Sequence, residues 1–125
     1  MSSPPHDRRY SPTHQWALSL PDGTISIGIT DFAQDQLGDL MFVELLEPGK
    51  TLRVGDSCGT LESVKTASEV ASPVSGTIIA RNDAVKDQPE VLNTHPYDHW
   101  LIKVLPSDPA EYANLLTAES YQNSL

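Results

Sequence analysis

The segment GTLESVKTASEVASPVSGTI, Gly59 to Ile78, sets one lysine, Lys65, between two runs that read as β-strand. An amine in such a place can bind phosphate, form a Schiff base, or accept a covalently attached group. The phosphate reading needs a glycine directly before the lysine so that backbone can wrap the anion, and a helix after it; Val64 stands there instead and no helical pattern follows. A Schiff-base lysine needs a desolvated amine in a pocket, and the flanking residues give no sign of burial. As an acceptor Lys65 is well placed. It falls where two strands join, and its neighbours Val64, Thr66 and Ala67 are small or uncharged. Glu62 and Glu69 flank it at short range, a pattern that a modifying enzyme can read without burying the amine. The plain alternative is a solvated turn lysine.

Other reactive side chains form no constellation. The single cysteine, Cys58, excludes an internal disulfide and reads as a small buried hydrophobe in a reducing compartment. His6, His14, His95 and His99 lack the paired spacing of a zinc site, and no serine, histidine and carboxylate set matches a hydrolase motif. His99, beside Trp100, reads as a strand-edge residue. No metal is expected.

The elements that must hold Lys65 are mostly strands. In TISIGIT, Ile25, Ile27 and Ile29 alternate with Ser26, Gly28 and Thr30 at the period of a half-buried strand, and PDG before it marks a hairpin turn. Thr30 or Asp31 can cap a short helix with Phe32 and Leu37 inward and Gly38 at its end. LMFVELL reads as an apolar strand, Pro48 and Gly49 as a turn, and TLRVGDS as a strand with Leu52 and Val54 on one face. VSGTIIAR and WLIKVL continue the pattern across NDAVKDQPEVLNTHPYDH, whose prolines and Asn/Asp residues suit a long surface connection. Near the end, Asp108 is an N-cap, Pro109 the first helical residue and Glu111 the closing member of a capping box, with Leu115 and Leu116 near the inward stripe. The fold class is therefore mainly β, a sandwich or barrel with peripheral helices.

Size and charge narrow the rest. At 125 residues the chain reads as a flexible segment over residues 1–9 followed by one domain over residues 10–125. A net charge of −9 and pI near 4.6 argue against nucleic acid as a partner. The basic N-terminus has no apolar run behind it and no stretch approaches a membrane span, so the expectation is a cytoplasmic monomer.

The run ESVKTASEVASPVSG, with GDLMFVELLEPG before it, YSPTHQW near the start and NTHPY downstream, resembles the H-protein family of the glycine cleavage system from about Tyr10 to Tyr121. Biotin carriers place methionines beside their lysine, and none stands beside Lys65. The resemblance implies a flattened β-barrel, or barrel-sandwich hybrid, with a short helix after the first hairpin and a C-terminal helix. Lipoic acid would be amide-linked to Lys65 at a hairpin tip. It also implies a carrier, not a catalyst. The lipoyl arm takes an aminomethyl group from the glycine decarboxylase, delivers it to the aminomethyltransferase and is reoxidised by dihydrolipoyl dehydrogenase, after a lipoate-attaching enzyme has loaded Lys65. By the same resemblance Glu62 and Gly49 serve recognition by that enzyme, Gly76 permits a tight backbone, and Thr13, His14, Gln15 and Glu69 dock the arm.

Departures from the family pattern bear on the cargo. Members read His-Glu-Trp where this chain has His14-Gln15-Trp16, so a carboxylate that would face a loaded amine is missing. Thr13 replaces a usual serine, Glu69 a common aspartate, and Tyr97-Asp98-His99-Trp100 lacks the usual glycines. A related class of lipoate-binding carriers serves sulfur oxidation with heterodisulfide-reductase-like enzymes and needs no aminomethyl pocket, so it is the alternative reading. An unmodified interaction domain is the remaining one.

Overall fold

Strand β2 (Gln15–Ser19) pairs antiparallel with β3 (Ile25–Ile29), Ala17 facing Ile27 across the turn where Gly23 takes φ +88°. The structure, a computed structural model, describes residues 3–125. In front of β2 runs β1 (Arg9–Tyr10); beyond β3 follow β9 (Ile102–Pro106), β8 (Gly76–Arg81) and β5 (Thr51–Leu52), making a six-stranded sheet in the order β1-β2-β3-β9-β8-β5. A second sheet holds β4 (Leu40–Leu45), β6 (Ser57–Ser63) and β7 (Ala67–Ala71) in the order β4-β6-β7. Ile27, Ile29, Leu61, Val70, Val74, Ile78 and Val104 belong to one buried cluster that both sheets share. This is the expected barrel-sandwich arrangement.

Strand β3 departs from its half-buried pattern, because every one of its residues is buried. Trp16 covers its other face: a Cβ at Gly28 would collide with the indole ring. Trp16 in turn belongs to a second cluster with Tyr10, Ala118 and Tyr121. The segment before Tyr10, expected as a flexible lead, packs on the same side. Pro4 is buried, the Tyr10 hydroxyl donates to the Pro5 carbonyl at 2.6 Å, and the Arg8 guanidinium lies 4.6 Å from the Trp16 ring centroid. Met1 and Ser2 lie outside the described residues.

Helix α1 (Asp31–Leu37) is capped by Thr30, whose hydroxyl accepts from Ala33 N, and ends at Gly38 with φ +80°. Ala33 and Leu37 pack on the core, whereas Phe32 turns to His14, with ring centroids 4.5 Å apart. Strand β4 is less apolar in its setting than in its composition. A register shift between Leu40 and Phe42 leaves Met41 and Phe42 both exposed. Val54 does not share a face with Leu52, since β5 ends at Leu52 and Val54 enters an exposed turn.

The polar connection after β8 is not a surface loop. It forms α2 (Ala84–Asp87) and α3 (Val91–Thr94), whose Val85 and Leu92 are fully buried. His99 falls in the coil before β9, not on a strand. The helix after Asp108, α4 (Pro109–Ala113), is a single short element. Asp108 caps it through Ala110 N, but Glu111 closes no box: its carboxylate accepts from Ser75 N and Ser75 Oγ, each at 2.8 Å, and ties α4 to the start of β8. A further helix, α5 (Ala118–Ser124), capped by Thr117, carries Tyr121 into the second cluster.

Cys58 is fully buried beside Val70, and burial pushes its thiol up to about 12. The native protein should therefore resist iodoacetamide at pH 8 and react once unfolded in urea, as followed by mass; rapid native alkylation would contradict this packing. Gly76 is required sterically, because a Cβ there would strike the Leu105 carbonyl on β9. Backbone cannot yield as a flexible side chain can, so Gly76→Ala should lower stability by about 1–3 kcal/mol in urea titration. An unchanged midpoint would contradict the strand spacing.

Candidate functional site

The turn from β6 to β7 places Lys65 at its tip, exposed. Ser63 makes that turn. Its hydroxyl accepts from Lys65 N and Thr66 N and donates to the Thr66 carbonyl, each at 3.2 Å, while Ser63 N donates to the same carbonyl at 2.8 Å. One donor and two acceptor sites are all that a hydroxyl has, so Ser63 is saturated by the turn alone. The tip is also tied sideways, with Val64 N donating to the Asp39 carbonyl at 3.1 Å.

The lysine stem has a seat. A Cβ at Gly38 would lie 3.0 Å from Lys65 Cε and 3.6 Å from its Nζ, so the stem runs over the bare backbone at the end of α1. Asn93 of α3 fixes that backbone. Its amide nitrogen donates to the Gly38 carbonyl at 2.9 Å and to Gln34 Oε1 at 3.0 Å, and its oxygen accepts from Leu40 N at 2.9 Å. From sequence, Gly38 reads only as the end of a helix, and Asn93 only as the first residue of the NTHPY run; neither is expected beside the lysine.

Beside this seat lies a groove of about 150 Å³, whose lining includes Thr13, His14, Gln15, Leu37, Ser68 and Glu69. Expected arm-docking residues Thr13, His14, Gln15 and Glu69 thus meet in one place. Gly49 and Gly76 do not join them: Gly49, at φ +98°, donates its N–H to the Ile78 carbonyl, and both belong to the β5–β8 edge of the other sheet. Glu62 stands on the outer, exposed face of β6, opposite Phe42 and Ala67.

Gln15 is buried and fully engaged. Its Oε1 accepts from Ser11 Oγ and Thr13 Oγ1, both at 2.6 Å, and its Nε2 donates to the Thr13 carbonyl at 2.8 Å. A carbonyl can only accept, which fixes the amide orientation and leaves the oxygen to the two hydroxyls. Gln15 therefore shapes the groove wall from within. Glu69 is the only carboxylate in the groove lining.

His14 adopts φ +74°, a conformation that costs a non-glycine residue about 1 kcal/mol or more. Its Nδ1 is hydrogen-bonded to the Tyr121 hydroxyl at 2.8 Å, and the same hydroxyl reaches Thr30 Oγ1 at 2.8 Å. Burial lowers the imidazole pKa and pushes the Tyr121 phenol up to about 12, so both are neutral at pH 7. Tyr121 thereby clamps the His14 turn to the N-cap of α1. Sequence reading missed it, although Thr117 before Ala118 was a legible helix start.

No group of three or more His, Cys, Asp or Glu residues able to hold a metal occurs among the described residues, and none of the helices there is long and apolar enough to cross a membrane. The exposed amine, its seat and the adjoining groove suit an acylated lysine whose arm can lie along the protein.

Residues 8–125 match the glycine cleavage H-protein family. The chain is 48% identical over 122 residues to glycine cleavage system H protein 2 of Pseudomonas putida, covering 98% of this chain and 96% of that one. It is 45% identical over 126 residues to the H protein of Psychrobacter cryohalolentis, covering all of both chains. Among solved structures, a glycine cleavage system H protein from Mycobacterium marinum superposes with a TM-score of 0.86 at 42% identity, over 98% of this chain and all of that one. Fold, motif and relatives agree, and the chain belongs to the glycine cleavage H-protein family.

Proposed function

We propose that this protein is a lipoyl carrier of the glycine cleavage system, with lipoic acid amide-linked to Lys65 and an aminomethyl unit as its cargo. The observation that carries this reading is the exposed Lys65 amine on a turn fixed at Ser63 and Asp39, beside a groove of matching character. When bound, the dithiolane would supply the group-transfer and redox chemistry. The chain's own residues supply reach and orientation. Acylation removes the ammonium charge of Lys65 and lengthens its stem. Gly38 leaves room for that stem, and the apolar side chain of Leu37 and the hydroxyls of Thr13 and Ser68 offer the arm a place to lie. The protein is then a component that partners act upon and not a catalyst.

Its partners in this reading are a lipoate-attaching enzyme, the glycine decarboxylase, the aminomethyltransferase and dihydrolipoyl dehydrogenase, all met as a soluble cytoplasmic monomer. A net charge of −9 favours encounter with basic patches on several enzymes in turn, and salt should weaken each encounter. Tethering raises the effective concentration of the cargo once a partner docks, so each docking can be brief. A sulfur-oxidation carrier is the second reading, and one observation favours it: Gln15 spends both ends of its amide on Ser11 and Thr13, leaving no oxygen for a cationic cargo.

Protein made in lipoate-sufficient cells should gain the mass of one lipoyl amide, and Lys65→Arg should gain none. The same added mass in the variant would move the site elsewhere, and no mass in either would favour an unmodified interaction domain. For the loaded arm, the exposed Glu69 carries the only negative charge in the groove lining. Glu69→Gln should shorten the lifetime of the aminomethyl-loaded protein by roughly two- to fivefold, equivalent to about 0.5–1 kcal/mol. An unchanged lifetime would remove Glu69 from arm docking.

A further inference from the structure

The three bonds that Asn93 makes converge on one strip of backbone. Its Nδ2 donates to the Gly38 carbonyl and to Gln34 Oε1, and its Oδ1 accepts from Leu40 N. Both protons and the oxygen are thereby used. Because a carbonyl only accepts and an N–H only donates, the carboxamide has one orientation. Asp39 stands between Gly38 and Leu40, so Asn93 holds both peptide planes that meet at the Asp39 Cα. Each plane supports one part of the lysine turn. In the Asp39–Leu40 plane, Asn93 takes the N–H while the carbonyl accepts from Val64 N at 3.1 Å. A trans peptide points these two groups in opposite directions, so this rigid unit is strung between Asn93 and the lysine turn. In the Gly38–Asp39 plane, Asn93 takes the carbonyl, and the open side of Gly38 faces Lys65 Cε. Asn93 is itself anchored from the core. Leu92 before it is fully buried, Val91 packs on the same core, and Asn93 N donates to the Glu90 carbonyl at 3.0 Å.

We propose that Asn93 is a positioning residue for the acylated lysine: it holds the turn through Asp39 and the stem through Gly38, so that the arm lies in the groove and not free in solvent. The inference rests on the lipoyl-carrier reading. Asn93 touches neither the groove nor a cargo in it. It acts by keeping Gly38 where the stem can rest, as a support held by packing can and a loop residue cannot. A stem without its seat starts the arm in many directions, and a cargo at the far end then spends more of its time in water. A residue that merely stabilised the domain would act on all its parts alike, whereas the two peptide planes give Asn93 two local and separable effects.

The test is NMR of the lipoylated wild type, Asn93→Ala, Asn93→Asp and Thr94→Ala, joined to the lifetime of each protein once loaded with an aminomethyl group. Thr94, the exposed neighbour on α3, is the control for altering that helix. The reference amide is Ile78 N–H, which donates to the Lys50 carbonyl at the β5–β8 edge of the other sheet. Asn93→Ala should speed exchange of the Val64 N–H by about fivefold relative to Ile78, and should abolish the Overhauser contact between the Gly38 Cα protons and the Lys65 Cε protons. Asn93→Asp keeps an oxygen for Leu40 N but has no proton for the Gly38 carbonyl. It should therefore restore the Val64 protection and not the contact. Both variants should shorten the loaded lifetime by about two- to fivefold, and Thr94→Ala should match wild type throughout. A contact retained in Asn93→Ala, equal acceleration of Val64 and Ile78, no recovery of Val64 in Asn93→Asp, or the same losses in Thr94→Ala would each overturn the inference and leave the carrier reading intact. So would wild-type loaded lifetimes in both Asn93 variants. A wild type that is never acylated would overturn the carrier reading, and this inference with it. A lipoylated wild type that the decarboxylase cannot load would overturn the aminomethyl cargo alone, and the contact and the exchange rates would then decide for or against Asn93.

Discussion

The rest of the site depends on how one serine closes one turn. Ser63 Oγ takes the backbone N–H groups of Lys65 and Thr66 and gives its proton to the Thr66 carbonyl, so the turn between β6 and β7 holds together with no help from the lysine side chain at its tip. That independence is the functional point. A lysine used in its own turn would be unavailable to a partner, whereas Lys65 has its backbone fixed and its amine exposed. The added tie from Val64 N to Asp39 fixes the tip relative to α1, and Gly38 then supplies bare backbone for the stem.

The supports of this turn come from distant parts of the chain. Asn93, in a helix after β8, sets the end of α1; Tyr121, in the last helix, sets both the start of α1 and the His14 turn. The groove is thus framed by contacts across the whole sequence, and the positive φ of His14 is retained because Tyr121 and Phe32 both engage the ring. Removing the C-terminal helix would loosen the groove wall although α5 is remote from Lys65 in sequence.

Elements with local signals were legible in advance. The Ile25–Ile29 alternation, the turn at Gly23, the Thr30 cap with Gly38 as its stop, and the turn carrying Lys65 each follow from residues within a few positions of one another. What escaped depended on partners far away. Trp16 buries the polar side of β3, a bulge exposes Phe42, and Glu111 leaves its own helix to bind Ser75. Val85 and Leu92 are lone apolar residues in a polar stretch, too sparse to announce two helices that fill the core. Within the site, Thr13, His14, Gln15 and Glu69 came from the family resemblance and line one groove, while Gly38 and Asn93 stand in the runs GDLMFVELLEPG and NTHPY without their roles being readable, because the bonds that Asn93 and Tyr121 make join elements far apart in sequence.

Electrostatics sets the groove apart from the carboxylate-bearing wall that the family resemblance implies. An amide at position 15 keeps the hydrogen bonds to Ser11 and Thr13 that a wall residue needs, but leaves Glu69 as the one carboxylate in the lining. Burial of a second charge would be costly without a cation to meet it. The cargo a groove accepts is therefore the sharpest question about the protein. Exchange of labelled bicarbonate into glycine by the glycine decarboxylase, with the lipoylated wild type as acceptor, answers it most directly. The account predicts exchange that requires this protein and its lipoyl amide, and exchange no greater than without the protein would contradict it.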